Sequence, residues 1–496
     1  MKIGVIVKVL IVLTLLLFAF SLWHRSPDVD DAWIGEHAYW MAHKGFVKSE
    51  LMHGITNQEN RHIVHHKLFT LNGALFIGIF GFSLMTIKSV SLLWLGIFLL
   101  IFIRYVKKEL GTDSAWFAFL LITINALIFQ YSFVYRPEIM VMTLGFISYL
   151  FLEKALKQIG DIKLLIFSGL FAGLAAASHL NGLIFMAAGF LLLIWRKRYK
   201  ASLIFVASTL PAFALYFYDF TREFNFNYWI YQISDSPALY KSSILPSSFA
   251  FIAKLLNEHL RFFHSPKEIS LSMLFLFMLI VNYRNLKSDS NLLKYLLLLI
   301  LLLSLVSMHT TSKYILLYLP FISLIIIRSF HDFYTNRKSE EILKWKFTNR
   351  TAYRWSLVLL GLFVVVHFTW NVNTASEKFN PEKNREFALK HFGQHTNKLN
   401  ILAPMTFIFN EIGNFNRIQS DLGITEMHKS GLPVYGAGLL NFADSLKLDY
   451  LVVTDEFKDR FMIDSLRPTD FATYGYTISD KEEGFIIIKK QGEHND

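Results

Sequence analysis

Pro27-Asp28-Val29-Asp30-Asp31-Ala32-Trp33-Ile34-Gly35-Glu36-His37-Ala38-Tyr39-Trp40 opens a polar stretch that closes at His65-His66-Lys67-Leu68. Apolar runs flank it on both sides. Three carboxylates stand immediately after the first run, and a cluster of basic and imidazole groups stands just before the next. Acid and base held together at a membrane surface suit proton transfer beside an anionic, lipid-linked group.

The surrounding chain supports a membrane setting. It is 53% hydrophobic with 48 phenylalanines and only 18% charged residues, against roughly 25% in soluble domains. Apolar runs recur to about residue 370, at the roughly 20 residues that a crossing needs. About eleven spans are expected, centred near residues 14, 95, 124, 146, 171, 188, 210, 276, 301, 321 and 363. Residues 68–83 read as an additional short embedded helix. Met1–Trp23 is the first span; its Ala19-Phe20-Ser21 would also pass as a signal-peptide cleavage site, and either way the following loop is exported. With no cysteine, disulfides, a lipoprotein anchor, Cys-ligated zinc and thiol catalysis are excluded.

The net charge of +11 points to membrane orientation, not to nucleic acid. Arg104, Lys107 and Lys108, then Lys154, Lys157 and Lys163, then Arg196, Lys197, Arg198 and Lys200, then Arg284 and Lys287 occupy alternate loops, joined by the basic loop 328–354. The intervening short loops hold only Arg136 and Lys313. This is the positive-inside pattern. It places the N-terminus in the cytoplasm, and loops 24–67 and 219–268 and the segment from 372 outside. The expectation is an all-α polytopic module over 1–371 and a small soluble exported α/β domain over 372–496. In that domain Asn380 caps and Pro381 opens a helix that stops at Gly393, and strands are expected at 399–402, 450–454 and 485–488. It is expected to shape acceptor access and to carry no chemistry.

Each charged group has a bland reading beside the functional one. Asp30 or Asp31 would cap a helix over Ala32–His43; one of the cluster would also serve as a general base. Arg61, His65, His66 and Lys67 would snorkel to the interface or cradle a phosphate. Arg136 and Glu138 form a structural ion pair or part of a site, since an Arg at membrane depth is usually paired or functional. Lys313 would snorkel or touch phosphate. Glu36 and His37, among the seven histidines between His24 and His66, are weak candidates for a divalent metal ion, with no H-E-x-x-H spacing. His179-Leu180-Asn181-Gly182 reads as a tight turn.

Taken in order, these residues resemble the polyprenyl-phosphate-dependent GT-C glycosyltransferases, in the branch of protein O-mannosyltransferases and lipid A aminoarabinose transferases. Asp30-Asp31-Ala32 stands for that family's D-E-A, and His65-His66-Lys67-Leu68 for H-P-P-L without its prolines. Ala74-Leu75-Phe76 and Phe80-Gly81-Phe82-Ser83 follow. Arg136-Pro137-Glu138 resembles R-x-D, and Ser312-Lys313 through Tyr318-Leu319-Pro320 resembles the S-K/R…Y-L-x-P segment. The likeness spans roughly residues 5–330. It implies that Asp30 is the catalytic base with Asp31 beside it, and that Arg61, His65, His66, Lys67, Arg136, Glu138 and Lys313 contact donor phosphate or acceptor. It further implies a polyprenyl-phosphate-linked sugar as donor, a lipid, glycan or protein as acceptor, membrane lipids as surroundings, and a bacterial inner or plasma membrane as location. No cofactor is certain; a divalent metal ion stays open. A transporter or flippase would need polar groups at mid-membrane, and a non-catalytic subunit of glycan export would tolerate loss of the carboxylates.

Topology reporters fused at Lys338 and Gly492 are expected to give opposite signals; the same signal at both would rule out the eleven-span arrangement.

Overall fold

The computed structural model describes residues 4–158, 160–235, 248–287, 290–307, 310–335, 341–343, 347–429, 434–482 and 484–491. Lys338, Gly492 and the loop cations Arg337, Lys344 and Lys346 lie outside them. The chain is a mostly helical multi-pass membrane protein followed by a small α/β domain. Five helices are long and apolar enough to cross a membrane alone: Val5–Leu22, Leu84–Leu110, Glu138–Lys157, Tyr199–Phe217 and Arg350–Ala375. Two bent pairs raise this to seven, Thr112–Thr123 with Ala126–Ser132 at 63° and Ile252–Phe262 with Pro266–Val281 at 100°. The remaining expected centres fall on shorter helices, Ile162–Ser178, Leu183–Trp195, Ser290–Val306 and Leu319–Thr335. The additional embedded segment is the helix Lys67–Phe80.

Between these helices the packing is set by small residues. Gly169-Leu170-Phe171-Ala172-Gly173 is a small-xxx-small stripe, the pattern that lets apolar helices approach closely in lipid. It faces the Tyr199–Phe213 helix so tightly that a side chain at Gly169 would strike the Phe205 carbonyl, and one at Gly173 the Thr209 carbonyl. Val5, Ile6, Leu203 and Val365 stay exposed on the outside of the bundle, where lipid replaces water.

The first bent pair positions the site. Its helix stops at Thr123 and restarts at Ala126 with Asn125 as cap, accepting from Leu127 N at 3.0 Å. A break inside an apolar bundle strands backbone groups that lipid cannot satisfy. The last span supplies the partners: His367 Nδ1 accepts from Ala126 N at 2.7 Å and Asn371 Nδ2 donates to Ile124 O at 2.9 Å. The short second helix then delivers Tyr131 to Arg136 to the end of the bundle. The second bent pair does the same for Lys313. Buried Arg261 pairs with Glu258 at 2.7 Å and donates to Thr311 O at 2.6 Å, while Tyr318 Oη donates to Glu258 at 3.2 Å.

The α/β domain has a five-stranded sheet. Strands Arg417–Ser420, Asn400–Ala403 and Tyr450–Thr454 run parallel; Phe485–Lys490 and then Tyr476–Glu482 complete it antiparallel. The expected helix is Pro381–Phe392, with Asn380 Oδ1 accepting from Glu382 N at 3.0 Å and Gly393 at φ 76°. The three expected strands are present. The other two are too polar to read as buried runs. The domain docks on the first loop: the Leu51 carbonyl accepts from Ser420 Oγ at 2.8 Å and Gln419 Nε2 at 3.3 Å, and Met52 and Ile55 enter its core beside Leu402 and Leu439.

Replacing Gly173 by Val is expected to cost about 1–3 kcal/mol through overpacking against backbone, read as a lower Tm in detergent. Gly78→Ala, which meets nothing within 4 Å, is the control; equal Tm values would refute the close-packed stripe.

Candidate functional site

The first-loop helix runs Val29–Lys44, three residues earlier than expected, and its cap is Asp28, not Asp30 or Asp31. Asp28 Oδ1 accepts from Asp30 N at 3.1 Å, and Asp31 returns the favour by accepting from Asp28 N at 2.8 Å. This reciprocal box leaves Asp30 free of capping duty. Asp31 is fully buried. It accepts from Tyr135 N at 2.6 Å and pairs with Lys88 at 3.3 Å. Burial raises its pKa against the pull of Lys88 and of those backbone donors. Its role is to pin the helix to the loop that carries Arg136.

Asp30, by contrast, keeps 18% of its side chain exposed. Its carboxylate accepts from Arg136 Nη1. The same guanidinium donates through Nε and Nη2 to buried Glu138, the latter bond at 2.7 Å. Arg136 is therefore shared by two carboxylates, one buried and one accessible. The Ser91 hydroxyl donates to the Val134 carbonyl at 2.7 Å and fixes the backbone beneath it.

The expected basic cradle divides in two. The helix begins at Lys67, so consecutive side chains leave in different directions. His66 stacks on His179, ring centroids 4.6 Å apart at 16°, and the His179 ring lies 6.0 Å from Tyr314. Burial holds His66 down to about 4, with Glu138 opposing and Lys313 assisting, so this imidazole is neutral at pH 7. Lys313, partly buried and without an ion pair among the described residues, sits within the field of Arg136, Glu138 and Asp28. Asp30, Arg136, Glu138, His66, His179, Lys313 and Tyr314 thus form one constellation.

His65 and Lys67 face away from it, toward Asp219. Lys67 Nζ donates to Asp219 Oδ1 at 2.5 Å, and His65 Nε2 donates to Oδ2 at 3.0 Å while its Nδ1 accepts from the Thr70 hydroxyl. The lysine and aspartate side chains are 0% and 3% exposed, and the ammonium is ringed by Tyr216, Tyr218 and Phe220 at 5.5–5.8 Å. Arg61 donates to the Asp219 carbonyl at 3.3 Å and lies over Phe46 and Phe224. Lys67, His65 and Arg61 hold the loop together around Asp219; they do not pair with Asp30. Asp219 and His179 are the residues that sequence reading missed. The signal for Asp219 was a lone acid in the aromatic run Tyr216–Phe220, where a buried carboxylate requires a cation.

Glu36 and His37 point in different directions. Glu36 accepts from Ser49 Oγ at 2.6 Å, Glu50 N at 2.7 Å and Trp40 Nε1 at 3.0 Å, and burial raises its pKa to about 7. His37 lies against His62, ring centroids 4.8 Å apart. Among the described residues no group of three or more His, Cys, Asp or Glu is arranged to hold a metal ion.

Removing a partner from a buried pair costs about 3–5 kcal/mol. Asp219→Ala is accordingly expected to lower Tm sharply and Asp30→Asn to leave it near wild type; thermal unfolding in detergent with equal shifts for both would contradict this division of roles.

The family described as dolichyl-phosphate-mannose-protein mannosyltransferase matches residues 69–227. No curated protein matches the chain in sequence. Among solved structures, ArnT from Cupriavidus metallidurans in the apo state superposes with a TM-score of 0.57 at 10% identity, covering 97% of each chain; the same protein bound to undecaprenyl phosphate gives 0.56. The Archaeoglobus fulgidus oligosaccharyltransferase tethered with an acceptor peptide gives 0.58 at 10% identity, covering 98% of this chain and 74% of that one. The chain has the fold of the GT-C glycosyltransferases.

Proposed function

We propose that this chain is an inverting glycosyltransferase that moves a sugar from a polyprenyl-phosphate donor to a lipid, glycan or protein acceptor. The observation that carries the reading is the accessible Asp30 carboxylate, placed against Arg136 at the end of a membrane bundle and beside His66, His179 and Lys313. The fold shared with a protein whose structure holds undecaprenyl phosphate, and with one tethered to an acceptor peptide, supports it. The sugar is a hexose or a pentose. The membrane is the inner or plasma membrane of a bacterium, with the N-terminus cytoplasmic and the site and α/β domain exported, as the basic loops favour.

A polyprenyl-phosphate sugar already carries a good leaving group. Asp30 takes the proton from the acceptor hydroxyl or amine as that atom attacks the anomeric carbon from the face opposite the phosphate. The C–O bond to phosphate breaks with its electron pair on the leaving oxygen, and the configuration inverts. Lys313, neutral His66 and His179 donate to the departing phosphate, the arrangement that stabilises developing negative charge. Arg136 pairs with the Asp30 carboxylate and offsets the negative charge of Asp28 and Asp31 beside it. The last span runs on to Ala375, past the expected boundary at 371, so the membrane module ends there and the α/β domain that follows frames the helix that bears Asp30.

The test is transfer by purified protein from a panel of polyprenyl-phosphate-linked hexoses and pentoses. Asp30→Asn is expected to slow transfer roughly 10²–10⁴-fold with Tm retained, and Lys313→Met to raise the donor KM. Near-wild-type activity in Asp30→Asn would remove the base assignment; no transfer by the wild type from any donor would remove the function.

A further inference from the structure

Trp195-Arg196-Lys197-Arg198-Tyr199-Lys200 places four cations among two aromatic residues where one apolar helix ends and the next begins. Trp195 and Tyr199 are exposed, as aromatic residues are at the level of lipid head groups. A cleft of about 600 Å³ lies beside this turn, and its origin is in the helix packing. The helices Ile162–Ser178 and Tyr199–Phe213 are held in contact where Gly169 and Gly173 meet the Phe205 and Thr209 carbonyls. Nearer the turn no glycine stands between them. There Ile162 and Leu165 of one helix and Ala201 and Ile204 of the other line a gap, with Lys197, Arg198 and Lys200 at its mouth.

We propose that this cleft holds one anionic phospholipid of the bilayer, its phosphate against Lys197, Arg198 and Lys200 and its acyl chains along the apolar walls. The proposal does not depend on the glycosyl-transfer reading. The first observation is the backbone at Lys197. Lys197 N donates to Ile194 O at 2.8 Å and Arg198 N to Leu193 O at 2.9 Å, the paired bonds of a helix end whose turning residue is usually glycine. Here that residue is a lysine held at φ 57°, a conformation that disfavours any side chain. Such an outlier points to a use for the side chain it carries. The second is charge. Asp161, the carboxylate of the lining, already caps its own helix by accepting from Leu164 N at 3.3 Å. Among the described residues Lys197 and Lys200 form no ion pair, so the mouth of the cleft is left cationic. Arg198 is fixed there by donating to the Ala155 and Leu156 carbonyls at 3.3 and 3.1 Å. Basic pockets between spans suit anionic head groups. The third is continuity. Ile166, Phe167 and Leu203, on the same two helices, are exposed on the outside of the bundle, so acyl chains leaving the cleft stay on lipid-facing surface. The fourth is position. Glu138 opens the helix whose far end carries Ala155, so the cleft lies roughly 25 Å from the Arg136–Glu138 pair by helix rise. A lipid in it stands apart from the Asp30 site and braces the opposite end of the bundle.

The full-length protein, purified in a nonionic detergent, is titrated with dioleoyl phosphatidylglycerol and with phosphatidylcholine of the same chains, and native mass spectrometry counts the bound lipid. Wild type is expected to bind one phosphatidylglycerol at a site that saturates, about tenfold or more tighter than phosphatidylcholine. Each lysine near a head group is worth about fivefold, so Lys197→Gly combined with Lys200→Gln should lose about 25-fold. Glycine is at ease in the left-handed turn, so Lys197→Gly alone should keep or raise the Tm of the lipid-free protein, and affinity lost in that variant is not lost folding. Ala201→Trp, which fills the cleft, should abolish the preference for the anionic lipid. Lys107→Gln, at an exposed position of the same end of the bundle outside the cleft, should leave binding unchanged. Equal affinity for the two lipids, wild-type affinity in the double variant, or an equal loss in Lys107→Gln would overturn the proposal. So would displacement of the lipid by inorganic phosphate at equal concentration, the mark of a soluble-anion site. A dimer of lipid-free protein that Ala201→Trp splits would overturn it too, by making a second copy the occupant.

Discussion

A single guanidinium shared between two carboxylates organises the bundle end. Arg136 could not stand alone at this depth, because an unpaired charge away from water is expensive. Glu138, two residues on, neutralises it locally. Asp30, 106 residues away in sequence, takes the remaining face of the fork. The bidentate geometry of Arg makes this division natural, since its donors are set in a rigid plane. Asp31 then secures the same junction from the other side by gripping Tyr135 N and Lys88. The accessible acid is thus held by a group that is itself held from both ends.

That junction depends on a deliberately interrupted span. A continuous helix through residue 125 would carry Tyr131 and Arg136 along a straight axis and away from the Asp28 cap. The 63° bend turns the chain back, and the last span supplies the hydrogen bonds that the break requires through His367 and Asn371. The polar residues of the final helix, which look out of place in an apolar run, are explained by the backbone they satisfy.

The gross architecture was legible in composition: recurrent apolar runs mark the helices of the bundle, though several are shorter than a full crossing, and Asn380, Pro381 and Gly393 mark the ends of the first helix of the α/β domain. The Asp30 region and Arg136-Pro137-Glu138 stood out because charges beside or between apolar runs are costly. What was not legible depended on tertiary direction. Three aspartates within four positions are equally good caps, and only the demands of Arg136 and Lys88 decide that Asp28 performs that role. His65, His66 and Lys67 look like one cluster until the start of their helix is known, after which they divide between Asp219 and His179. The partner of Lys67 lies 152 residues on, and no local pattern announces such a pairing. His179 was correctly placed in a tight turn, but a turn does not reveal what its ring will stack upon.

The grip of Ser420 on the Leu51 carbonyl joins positions 369 residues apart. It closes the chain into a large loop that contains nearly the whole bundle. Contacts of such sequence separation form late, because loop closure precedes any reward from them. The Val29–Lys44 helix emerges early from synthesis yet gains its last support only after the Arg417–Ser420 strand has been made and has paired into its sheet. A chain interrupted before that strand would hold its carboxylates at the membrane with one side of their scaffold missing, so complete synthesis acts as a built-in gate on the assembly of the site.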